Sequence, residues 1–90
     1  MSKETVSSKI KAVAINIRKI REHLNYTQEY LAMKLNISQN AYSKIELGYT
    51  KITLERLYQI AQVLDVDLVE LIKANDIEVL QLVGSSSVSA

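Results

Sequence analysis

The 90-residue chain contains no cysteine, no proline, no tryptophan and no phenylalanine. Without cysteine it can form neither disulfides nor thiolate metal sites, which suits a reducing compartment. Without proline, and with Gly48 and Gly84 as its two glycines, it has too few turn residues for an all-β fold, so uninterrupted helices are expected. Aliphatic side chains must supply the core. No apolar run approaches the roughly 20 residues of a membrane span. Lys9, Lys11, Arg18 and Lys19 interrupt every stretch near the N-terminus that would serve as a secretory signal.

The apolar share, 48%, is ordinary for a globular protein and too high for a disordered one. The length supports one compact domain, not two. The net charge of +1 divides unevenly along the chain. Residues 1–51 hold nine Lys/Arg against four acids, giving +5, while residues 52–90 hold two against six, giving −4. A basic half suits a surface that meets an anion, with the acidic half facing elsewhere.

Periodicity predicts five helices. Residues 1–7 are polar and expected to be flexible; the domain is expected over 8–74. Ile10, Val13, Ile17, Ile20 and Leu24 recur at spacings of three and four and form the apolar stripe of a first helix starting near Ser8. Asn25 ends it, since Asn tolerates the left-handed conformation of a helix terminus. Thr27 caps a second helix with Leu31, Ala32 and Leu35 inward, and Asn36 closes it. Ser38 caps a third helix, Gln39 to Leu47, which Gly48 stops. Thr53 caps a fourth, and Asp67 with Glu70 opens a short fifth in the manner of a capping box. Residues 75–90 form a tail. Its apolar stretch 77–83 is too short to distinguish a strand from a helical turn, and the Ser-rich end from Gly84 onward reads as disordered.

The connection between the second and third helices, Asn36-Ile37-Ser38, is too short for a hairpin with parallel axes and suits a steep crossing, the helix-turn-helix geometry. With Tyr42 and Ile45 packed inward, Gln39, Asn40, Ser43 and Lys44 fall on the other side of the third helix. These are side-chain types that read base edges: Gln and Asn pair bidentately with adenine, Lys reaches guanine acceptors, and Ser serves either role. Ser38 with the first-turn amides, and Gln28 at the start of the preceding helix, are candidates for holding phosphate.

On these residues the chain resembles the phage repressor and Cro-type helix-turn-helix family. The matching elements are Ile17-Arg18 with Arg21, Thr27-Gln28-Glu29 with Leu31-Ala32, Ile37-Ser38, Tyr42-Ser43-Lys44-Ile45-Glu46 with Gly48, and Leu57, Ile60-Ala61, Leu64 and Val66. They span residues 17–72 in order and without gaps. The resemblance implies an all-α, five-helix bundle of the lambda-repressor-like DNA-binding type, with its helix-turn-helix at about 27–47. It implies a cytoplasmic, nucleoid-associated regulator of bacterial or phage type whose partner is double-stranded DNA. It gives Arg21 and Glu46 as a structural ion pair, Gln28 as a phosphate contact that braces the third helix, and Gln39, Asn40, Ser43 and Lys44 as base readers. Tyr49, Thr50 and Lys51 match the loop that touches the DNA backbone. The chain departs from the pattern at Asn25 and Asn36, where the family usually has Gly; at Leu47, often Arg or Asn; and in lacking the Pro that often precedes the fourth helix.

One recognition helix reads few base pairs, so a homodimer repressor or autoregulator reading a palindrome is expected, with the last helix and the tail as its contact. The alternative is an antitoxin or coactivator-like module that binds a toxin or another protein. No catalysis, metal or cofactor is expected. His23 is a lone surface histidine, Ser43 and Lys44 are neighbours that point apart on a helix, and capping accounts for Asp67 and Glu70.

Overall fold

Thr27, Ser38, Thr53 and Asp67 each accept a hydrogen bond through a side-chain oxygen from the amide three residues on, at 3.0–3.1 Å. Each starts a helix. The computed structural model describes residues 3–75 and 77–83. In chain order the elements are α1 (Lys3–His23), α2 (Gln28–Leu35), α3 (Gln39–Glu46), α4 (Leu54–Leu64) and α5 (Leu68–Lys73), followed by a 3-10 turn, Val79–Leu82. No strand occurs among the described residues. Each cap satisfies one otherwise unpaired donor and stabilises its helix by about 1 kcal/mol.

The ends of the first four helices share one device. Asn25, Asn36, Gly48 and Asp65 take left-handed φ values of 57° to 75°. In each case the next amide reaches back to the carbonyl five residues before it: Tyr26 to Arg21, Ile37 to Ala32, Tyr49 to Lys44 and Val66 to Ala61, at 3.0–3.1 Å. These are Schellman closures, which satisfy the last carbonyls of a helix while turning the chain sharply. Such compact closures let five helices follow one another with so few glycines. Asp65 joins the two asparagines in this role, as short polar side chains tolerate left-handed backbone.

The core is aliphatic, with Ile17, Ile20, Leu31, Ile60, Leu64 and Leu71 fully buried and Tyr42 among them. Three expectations change. First, α1 begins at Lys3, not near Ser8. The segment has neither Pro nor Gly to stop it, and once the core-bound turns form, extension adds one hydrogen bond per residue. Second, Ile10 is exposed, as are all residues from 6 to 12. The buried stripe of α1 starts at Val13 and Ala14, so the first turns of the helix stand clear of the core. Third, the stretch 77–83 is not a free apolar tail. Val79 is fully buried, Leu82 and Val83 pack against the core, and the 3-10 turn lies on α1 and α5. Ile77 and Leu80 remain exposed. The expected disorder from Gly84 to Ala90 lies outside the described residues.

Asn16 is buried where an apolar residue would suit the periodicity. Its amide donates to the carbonyls of Leu71 and Ala74, both at 3.0 Å, and so ties α1 to the end of α5.

At Gly48 the φ of +75° disfavours any side chain, and an added Cβ would lie 3.3 Å from Lys11 Cγ. Gly48→Ala is expected to lower stability by roughly 1–2 kcal/mol, the penalty for a left-handed non-glycine residue. Urea denaturation with an unchanged m-value checks it.

Candidate nucleic-acid interface

Glu46, in the last turn of α3, is 6% exposed, yet its carboxylate has four donors. Arg21 Nε donates to Oε2 at 2.6 Å and Arg21 Nη2 to Oε1 at 3.1 Å, a bidentate fork. The Tyr42 hydroxyl donates to Oε2 at 2.6 Å, and Gln28 Nε2 to Oε1 at 3.1 Å. A third guanidinium nitrogen, Arg21 Nη1, donates to the Tyr26 carbonyl at 2.8 Å. One carboxylate therefore joins α1, the start of α2 and α3. Among the described residues no buried side-chain polar atom lacks a partner.

The electrostatics follow from this packing. Burial pushes the Glu46 carboxyl up, but the hydrogen bonds from Arg21, Tyr42 and Gln28 outweigh it and hold the group below the usual glutamate range. The hydrogen bond to Glu46 raises the Arg21 guanidinium against the opposing effect of burial. Burial, then the bond to Glu46, raises the Tyr42 hydroxyl, which stays protonated and donating.

With α3 held on its buried side by Tyr42, Ile45 and Glu46, its opposite side faces solvent. Gln39, Asn40 and Lys44 are exposed and Ser43 is half-buried. A cleft of about 380 Å³ gathers Ser38, Asn40 and Lys44 of α3 with Thr50 and Lys51 of the following loop. Gln39 and Ser43 lie outside that cleft. Tyr49 lines a separate, smaller groove beside α1. Ser38 Oγ accepts from the Ala41 amide, which leaves its proton to donate. Gln28 spends one amide hydrogen on Glu46 and has another for a second acceptor. No carboxylate lines the cleft.

Arg56 was not among the sequence candidates. It lines the cleft, donates through Nη1 to the Leu35 carbonyl at 3.2 Å and to Gln59 at 2.9 Å, and so fastens α4 to the end of α2. An Arg able to reach the terminal carbonyls of a helix is a recognisable signal, but the sequence does not say which helix end lies nearby.

The helix-turn-helix family HTH_3 matches residues 17–71, over half of the chain and the stretch holding α2, the turn and α3. The chain belongs to this family. Its α2, turn and α3 are the helix-turn-helix of a DNA-binding domain. Two solved structures are similar. A hypothetical transcription factor NHTF from Neisseria is 27% identical, with a TM-score of 0.70 over 84% of this chain and 85% of its own. The clp gene regulator ClgR from C. glutamicum shares the fold at 20% identity, with a TM-score of 0.68 over 81% of this chain and 90% of its own. No curated protein sequence matches the chain. Among the described residues of this helix-turn-helix protein, no helix is long and apolar enough to cross a membrane.

Because the Glu46 carboxyl is held below its unfolded value, its contribution to stability is fully present above the ordinary glutamate range, about pH 4.3. It is lost as pH falls through the lower folded value. Stability should therefore drop in acid below that range, and Glu46→Gln should flatten the drop while weakening the protein at neutral pH. Truncation to Ala, which strands the buried guanidinium, should lower stability by roughly 3–5 kcal/mol. Denaturant midpoints from pH 7 to pH 3 check both.

Proposed function

We propose that this protein is a repressor or autoregulator that binds a palindromic operator as a homodimer and is not an enzyme. The observation that carries the reading is the exposed polar side of α3, held in place from behind by the buried Glu46 carboxylate. In this reading Gln39, Asn40, Ser43 and Lys44 meet base edges in the major groove, while Gln28, Ser38, Tyr49, Thr50 and Lys51 meet phosphates. The steep fit of an α-helix into that groove, and the donor and acceptor types on α3, support it. So does the basic N-terminal half, which contains α1, α2 and α3.

For the dimer, α5 and the following turn expose Val69, Ile72, Ile77 and Leu80. They lie in the acidic half of the chain, and α5 packs on α1 and α4 but not on α3. A contact there would leave both recognition helices free. Two heads then read half-sites about one helical turn, roughly 10 bp, apart.

Selection of bound duplexes from a random pool tests the reading: a two-fold symmetric motif should be enriched, and failure to enrich any motif overturns it. Within the selected site, Asn40→Ala should lose roughly 1–3 kcal/mol of preference for one base while sparing non-specific binding. Lys51→Ala should weaken all duplexes alike and make the salt slope shallower by about one unit. For the assembly, Val69→Asp with Ile72→Asp should convert a dimer into a folded monomer in analytical ultracentrifugation. A native chain that is monomeric at tens of micromolar contradicts the dimer.

A further inference from the structure

The first turns of α1 lie ahead of the family match, which begins at residue 17. They are helical, and every residue from 6 to 12 is exposed, so this segment contributes little to the core. It lies beside the loop that follows α3. The α1 backbone passes Gly48 so closely that a Cβ there would lie 3.8 Å from Lys11 Cα and 3.3 Å from Lys11 Cγ. Ser7, Ile10 and Lys11 form one wall of a groove of about 130 Å³, and Gly48, Tyr49, Thr50 and Lys51 form the other. The groove carries two ammonium groups, two aliphatic hydroxyls and a phenol, and no carboxylate lines it. Thr50 and Lys51 also line the α3 cleft, so the two concave surfaces meet at that pair.

We infer that the projecting start of α1 is a second phosphate-binding strip, in which Ser7 and Lys11 join Tyr49, Thr50 and Lys51 on the DNA backbone flanking the bases that α3 reads. The inference rests on the DNA reading proposed above and extends it. Phosphate is the group that this chemistry recognises: cations and hydroxyl donors along an edge, with no acid to repel it. Ile10 lines the same groove and lies outside the core. The Lys11 stem over Gly48 supplies a second reason for glycine there, since an added Cβ would lie 3.3 Å from Lys11 Cγ and the stem would have to give by a few tenths of an ångström.

Lys11→Gln keeps the stem over Gly48 and removes the charge. Binding is measured against two duplexes, one random and one selected, from about 50 to 200 mM salt. The expected result is a salt slope shallower by about 0.9 on both duplexes, with affinity at low salt reduced to a similar degree on each. Trimming the flanking base pairs from the selected duplex should erase the difference between variant and native. Lys51→Gln serves as the control. If it flattens the slope and Lys11→Gln does not, the strip is wrong and the DNA reading stands. If the native protein binds no duplex in a salt-dependent way, the DNA reading itself fails. If Lys11→Gln leaves the slope unchanged while Val6→Ser with Ile10→Ser alters the sedimentation mass, the segment is a protein contact and the inference is overturned.

Discussion

The carboxylate of Glu46 is the point on which the arrangement depends. A buried charge is unfavourable unless its hydrogen-bonding capacity is met, and here Arg21, Tyr42 and Gln28 meet it together. Each donor comes from a different place: the last turn of α1, α3 itself, and the first residue of α2. Hydrophobic burial around Tyr42 and Ile45 would hold α3 against the core but is non-directional. The charged network adds direction, because a bidentate fork tolerates little rotation or sliding of the helix that bears it. The pair is better understood as fixing position than as adding net stability.

The capping pattern gives this network its precision. Helices that begin on a side-chain oxygen and end on a left-handed residue have defined lengths, and the connections between them are short. The turn between α2 and α3 combines both devices: Asn36 closes one helix and Ser38 opens the next, with Ile37 packed against the core between them. Gln28 can thereby brace Glu46 from the beginning of α2 while its neighbour Thr27 caps the same helix. Arg56 performs a parallel service on the far side, holding α4 to the last carbonyl of α2.

Most of the fold could be read from residue types at their spacing. The caps at Thr27, Ser38, Thr53 and Asp67 and the left-handed Asn25, Asn36 and Gly48 are local signals, and local hydrogen bonds decide them. What could not be read depends on tertiary contact. The start of α1 has no local signal that separates a helix projecting from the domain from a frayed end, and Ile10 fits the apolar period although no core lies opposite it. Asn16 breaks that period because its partners, Leu71 and Ala74, are far away in sequence. Val79 is buried because α1 and α5 leave room for it, which the tail's short apolar pattern does not reveal. At the interface, Asn40, Lys44, Thr50 and Lys51 were legible as types on an outward face, whereas the sharing of a cleft and the half-burial of Ser43 emerge from packing alone.

If the buried fork sets the aim of α3, it must influence which DNA is chosen and not merely whether the chain folds. Arg21→Lys keeps the charge opposite Glu46 but replaces the planar fork with a single ammonium. The decisive quantity is the ratio of specific to non-specific affinity for this variant, measured under conditions where it is fully folded. The account predicts a loss of that ratio on the order of tenfold, about 1.4 kcal/mol, with non-specific binding unchanged. A folded Arg21→Lys protein that discriminates as well as the native chain would contradict it.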